Sequence, residues 1–129
     1  MKNQIVYKEL EDLKPYERNP RKNEKAVGAV RESIRQFGFK NPVIIDAQNV
    51  IICGHTRILA AKELGIKQIP CIIADDLNEE QIKAFRLVDN KVGELAEWDV
   101  DLLPLELADI AQDLSPFGFE TISEDEFGE

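Results

Sequence analysis

The chain has 129 residues, 43% of them hydrophobic, and a formal net charge of −9 from 16 Lys and Arg against 25 Asp and Glu. That length supports one domain around a single core and is too short for two ordinary ones. No apolar run approaches the roughly 20 residues that cross a membrane, and no signal-like apolar region follows the N-terminal Met-Lys-Asn, so a soluble, cytoplasmic protein with no membrane partner is expected.

Residues 4–7 read as a short strand, after which Leu10 and Leu13 lead into a loop at 15–21. Lys14, Arg18, Arg21, Lys22 and Lys25 crowd around Asn19-Pro20, a pattern that suits phosphates or an acidic partner and equally an ordinary solvated loop. Val27, Val30, Ile34 and Phe37 recur at helical spacing over 24–37, and Gly38 offers a left-handed stop. Two apolar runs at 42–46 and 50–53, separated by Ala47-Gln48-Asn49, read as a hairpin that leads into Gly54 and a helix to Leu64, ended by Gly65. Residues 69–73 form another strand, in which Pro70 implies a sheet edge or a strand start. Asn78 caps the next helix, over 78–91, with Gln81 completing a capping box and Ile82, Phe85 and Val88 as its buried stripe. Leu103, Leu107, Ile110 and Leu114 predict a further amphipathic helix from near Asp101 to just before Pro116. Residues 94–129 hold 12 Asp and Glu and no Lys or Arg, leaving residues 1–93 at +3, so the expected organisation is a body at 1–98 followed by an acidic helix and a tail or linker at 99–129.

The richest chemistry lies at Val50-Ile51-Ile52-Cys53-Gly54-His55-Thr56-Arg57, where a strand passes through glycine straight into a helix. Glycine permits close approach of a ligand to the backbone, and the helix's first N–H groups and macrodipole favour an anion such as phosphate. Arg57 stands in the first turn, where the dipole disfavours a cation, which points to service to a ligand; His55 and Thr56 add donors. The same spacing fits many tight turns with no ligand at all. Asp89-Asn90-Lys91 supplies ligand-capable groups and is equally readable as a polar helix end. Cys53 and Cys71 sit in apolar strands as small buried thiols, with Cys53 expected to face inward, and not as a disulfide.

Taken together, the Arg18-Asn19-Pro20-Arg21 loop, Ser33-Ile34-Arg35-Gln36-Phe37-Gly38-Phe39 with Asn41-Pro42-Val43-Ile44, the Gly54-His55-Thr56-Arg57-Ile58-Leu59-Ala60-Ala61 turn with Leu64-Gly65 and Ile69-Pro70, and Leu87-Val88-Asp89-Asn90 resemble the ParB-like branch of the ParB/sulfiredoxin superfamily. The resemblance covers residues 5–98 and implies an α/β fold of mixed α+β type. A small mixed sheet from strands near residues 4, 43, 50 and 70 would be packed by helices at 24–37, 55–64 and 78–91. It further implies a nucleotide pocket, for CTP or ATP with Mg²⁺, in which Gly54, Arg57, Asn19, Arg21 and Asn90 match the family's residues and His55 and Thr56 occupy the same turn.

The departures are specific. The family's turn usually reads Gly-Glu-Arg-Arg; here His55 replaces the glutamate, Thr56 and Leu59 replace arginines, Asp89 replaces a glutamate, and Gly93 stands where partition proteins carry another arginine. Each charge-assisted contact is worth about 1.5–3 kcal/mol, so losing three cations weakens neutralisation of a triphosphate. Resemblance to the sulfiredoxin branch would require a Gly-Cys-His-Arg turn, and His55 takes the place of its reactive cysteine, which argues against sulfinic acid repair.

Three functions follow. The first is a nucleotide- or phosphate-binding accessory, hydrolysing slowly or not at all, in DNA modification, segregation or phage maintenance. Its partner would be DNA or a DNA-processing protein such as a methyltransferase. The second is a ParB-like nuclease with His55 as general base or phosphate ligand and Asp89 or Glu63 helping to hold a metal, although no metal-ligand spacing stands by itself. The third is a protein-interaction module in which the acidic segment and the 103–114 helix dock a partner or a second copy as a homodimer.

Overall fold

The computed structural model describes residues 3–19 and 24–119. Strands β1 (Ile5–Glu9), β2 (Val43–Ile45), β3 (Ile51–Cys53) and β4 (Gln68–Ile73) form one sheet in the order β1-β4-β2-β3. β4 runs antiparallel to β1 and parallel to β2, and β2 is antiparallel to β3, giving the mixed sheet that the α+β reading anticipates. The helices are α1 (Glu24–Phe37), α2 (His55–Leu64), α3 (Glu79–Leu95) and α4 (Leu102–Ala108), with 3₁₀ turns at Leu10–Asp12 and Ser115–Phe117.

Local chemistry explains the hairpin. Asp46 Oδ1 accepts from the N–H groups of Gln48 at 2.8 Å and Val50 at 2.9 Å, while Asn49 takes the left-handed conformation at φ +68°. Beside it the N-terminal loop is drawn onto β3, since Lys14 N–H donates to Asn49 and Ile51 N–H donates to Lys14, both at 2.8 Å. Val43, Ile45, Ile51, Ile69 and Cys71 of the sheet are at most 1% exposed and enclose Ile58 and Ala61 of α2. A second patch joins Val27 and Ile34 of α1 to Ala60 of α2. Each such aliphatic burial stabilises by roughly 1.5–3 kcal/mol, so α2 is clamped between sheet and α1, and its N-terminus is fixed in place.

Three expectations are revised. β4 lies inside the sheet, so of the two positions read for Pro70 the sheet edge is ruled out and the one near the strand start remains; pairing with β2 begins one residue later, at Cys71, and Pro70 has a partner only in β1. Val88 is 55% exposed and is not part of a buried stripe; α3 instead buries Arg86. The helix foreseen from 101 to 115 stops at Ala108, where the Asp109 and Ile110 N–H groups turn to Glu106 and Leu107 in 3₁₀ fashion, and Asp113 Oδ1 then accepts from Ser115 N–H to start the next turn. That turn folds back on α1, bringing Phe117 to 6.4 Å from Phe37 between ring centroids.

Candidate nucleotide-binding cleft

Gly54 caps α2 at φ +111°, a conformation that L side chains rarely adopt. Its Cα also faces other groups closely: a Cβ built there would stand 3.0 Å from Val43 Cγ2 and 3.2 Å from Arg57 Nη1. Glycine is therefore required twice, once by the backbone and once by the space. No side chain caps this helix end and no acidic residue occupies its first turn, so the dipole's positive end stays available to an anion.

The turn opens onto a cleft of about 250 Å³. His55, Thr56 and Arg57 line it from α2, Asn19 from the N-terminal loop, and Asp89 and Asn90 from α3. Six of the seven residues expected to bind phosphate thus converge, counting Gly54, and Arg21 lies outside the described residues. Arg57, although placed against the dipole, is not stranded: its Nη1 donates to the Pro42 carbonyl at 3.0 Å, which fixes the guanidinium at the cleft wall.

His55 is committed differently from a general base. Its Nε2 accepts the Tyr16 N–H at 3.1 Å, so the ring proton of the neutral imidazole sits on Nδ1. Burial, and then the charge of Arg86, hold its pKa below the ordinary value, keeping it neutral at pH 7. Cys53, expected to face inward, lines the cleft instead, and its thiol is pushed up to about 12 by burial first and then by the charge and hydrogen bond of Asp89. It stays protonated and is not a nucleophile. Glu63, the alternative metal carboxylate, pairs with Arg31 across α1 and α2. Among the described residues no three His, Cys, Asp or Glu side chains converge on a point.

Sequence reasoning missed Arg86 and Tyr16. Arg86 is 4% exposed; its Nη2 donates to the Ile51 carbonyl at 3.2 Å and its Cζ lies 3.5 Å above the centre of the Tyr16 ring, a stacked cation–π pair. The signal was a cation at the fourth position between Ile82 and Asn90 on one helical face.

The family model of the ParB N-terminal domain matches residues 1–91. The chain belongs to the ParB N-terminal domain family. It is 44% identical over 78 residues to the Escherichia coli ParB-like nuclease domain-containing protein YnaK, covering 60% of this chain and 90% of that protein. It is 34% identical over 118 residues to a probable chromosome-partitioning protein ParB of Campylobacter jejuni, covering 88% of this chain but only 40% of that protein. Among solved structures, the C-terminally truncated partitioning protein ParB of Caulobacter crescentus, complexed with CTP-γ-S, shares the fold at TM-score 0.64 and 22% identity, over 75% of this chain and 57% of that one. Sulfiredoxin from Arabidopsis thaliana shares it at TM-score 0.51 and 24% identity, over 65% of this chain and 97% of that one. The ParB N-terminal fold thus carries the glycine turn, the N-terminal loop and α3 to one cleft in this chain as laid out above.

Proposed function

We propose that this ParB N-terminal domain binds the phosphate end of a nucleotide in the Gly54 cleft and serves as a nucleotide-responsive accessory in a DNA-associated process. The carrying observation is the uncapped α2 N-terminus behind a glycine whose Cβ position is closed, with Asn19, Thr56, Arg57 and Asn90 on the same cleft. A cleft of about 250 Å³ is smaller than the roughly 300–1,000 Å³ that encloses a drug-sized ligand, so it suits the phosphates and leaves the base nearer its mouth. The backbone N–H groups opening α2 and the Arg57 guanidinium receive the anion, while the carboxamides orient it. Asp89 repels a bare polyphosphate and is the residue that would face Mg²⁺ arriving with it.

Support from outside the chain is the family membership and the CTP-γ-S held by the Caulobacter relative of like fold. DNA, or a DNA-processing partner such as a methyltransferase, and pairing of two copies belong to the same proposal; the relatives' partitioning role motivates them. The nuclease reading is weaker, because His55 Nε2 is occupied and Glu63 is drawn to α1.

The test is calorimetric titration of CTP, ATP and GTP with Mg²⁺ into the wild type and Arg57→Ala. Micromolar binding of one nucleotide, weakened at least tenfold in the variant, is expected, a factor equal to about 1.4 kcal/mol. Absence of heat for all three nucleotides would reject the reading.

A further inference from the structure

Behind the cleft, and outside its lining, lies the stack of Arg86 on Tyr16. Three cleft residues hydrogen-bond directly to these two, His55 from a distant element and Asn19 and Asn90 from within the same turn and the same helix. The Tyr16 N–H donates to His55 Nε2 at 3.1 Å, the Tyr16 carbonyl accepts from the Asn19 N–H at 3.2 Å, and the Arg86 carbonyl accepts from Asn90 Nδ2 at 3.0 Å. The stack is itself anchored to the sheet, since Arg86 donates to Ile51 of β3. Its Nε is buried with no hydrogen-bond partner among the described residues.

An arginine that is 4% exposed and leaves one donor unpaired is an expensive way to fasten a helix, because an unsatisfied buried donor costs about 1–3 kcal/mol and an apolar side chain of similar volume would pack there without it. The arrangement makes sense if the cation and its flat face are needed. The planar guanidinium gives the Tyr16 ring a surface that holds the loop against α2. Its charge also stands behind a turn in which positions 55, 56 and 59 hold His, Thr and Leu, adding positive potential to an anion site that has Arg57 as its lining cation.

We infer that Arg86 is the positioning residue of the cleft, its side chain holding the Tyr16 loop, and with it Asn19 and His55, in register, and supplying a buried charge that strengthens anion binding without contact. The anion-binding half rests on the function proposed above; the positioning half does not.

The experiment uses the full chain with Arg86→Met, which keeps the volume and removes charge and plane, Arg86→Lys, which keeps the charge, and Tyr16→Ala, which removes the platform and leaves α3 and β3 untouched. His55 is the chain's one histidine, so its imidazole nitrogen signals in NMR are unambiguous. In the ligand-free protein, Arg86→Met and Tyr16→Ala are expected to shift the His55 Nε2 resonance away from the hydrogen-bonded position and speed hydrogen exchange of the backbone amide at position 16 at least about tenfold, with the β4 amides unchanged. Mg²⁺-nucleotide affinity should fall about tenfold or more in Arg86→Met and recover in part in Arg86→Lys. An unaltered His55 signal and unaltered exchange of the position-16 amide in either folded variant would overturn the positioning role. Should the wild type bind no nucleotide, the proposed function fails, while the ligand-free NMR comparison still decides this one.

Discussion

Substituting Gly54 by alanine asks two things of the structure at once, and a second glycine separates them. At Gly54 the backbone sits at φ +111°, and a strained backbone of this kind costs about 1–3 kcal/mol for an L residue. The new Cβ would also press on Val43 Cγ2 at 3.0 Å and Cγ1 at 3.3 Å, and Val43 is fully buried, so the methyl meets a wall that cannot swing away. Overpacking of that kind adds about 1–3 kcal/mol, for a total of roughly 2–6 kcal/mol. Gly65, at φ +73° and with nothing within 4 Å of its Cβ position, pays only the left-handed term, about 1–2 kcal/mol. At roughly 3–5 °C per kcal/mol for a domain of this size, Gly54→Ala should lower Tm by about 6–30 °C and Gly65→Ala by about 3–10 °C. Thermal and urea unfolding followed by circular dichroism measure both. Equal losses at the two sites would refute the claim that space, as well as backbone conformation, demands glycine at the mouth of α2.

Two further outcomes concern titratable groups. Because His55 has its folded pKa lowered by burial and Arg86, the unfolded chain binds more protons below the ordinary value of 6.5, and stability should fall as pH drops from 7 through that value. Melting curves between pH 7.5 and 5 should show that decline in the wild type and not in His55→Gln; a flat wild-type profile would contradict the buried neutral imidazole. Glu32, held at about 2 by its hydrogen bond from Arg35, and the lowered Asp99 and Asp113, contribute only under more acidic conditions. The second outcome is at Cys53, whose thiol near 12, against an ordinary 9.0, carries roughly a thousandfold less thiolate at pH 8. Iodoacetamide labelling read by mass spectrometry should therefore leave Cys53 of the folded protein unmodified while a model thiol is consumed, and rapid labelling would mean the thiol is not held by burial and Asp89.

Much of the fold was legible because it is written in local signals. The Asn78–Gln81 capping box, the Gly38 and Gly65 stops and the hairpin turn each need only a few adjacent residues, and each formed as read. What stayed hidden depends on packing between distant segments. Strand order is not encoded in alternation, so Pro70, which allowed either a sheet edge or a strand start, could not reveal that β4 is interior. On α3, at about 100° per residue, Val88 lies about 120° round from Ile82, whereas Arg86 lies about 40° and Asp89 about 20° away. The sheet meets that second face, so counting apolar residues chose the wrong stripe. Tyr16 and Arg86 are 70 positions apart, and no pattern in either neighbourhood announces that they stack.

Charge gives the cleft its character more than shape does. Thr56 and Leu59 leave Arg57 as the lining cation contributed by α2, and Asp89 opposes it from α3. A polyphosphate entering this site meets the α2 N-terminus, Arg57 and the field of buried Arg86 on one side and a carboxylate on the other. The carboxylate makes a divalent cation on the phosphates favourable, while the helix end and Arg57 remain matched to the phosphate oxygens themselves. Because Arg86 is buried, its share of the attraction is screened far less by salt than that of the exposed Lys14, Arg18 and Lys25. Anion binding in this chain should accordingly persist at ionic strengths that abolish loose association with the loop, which is the behaviour that separates a built phosphate site from a merely basic surface.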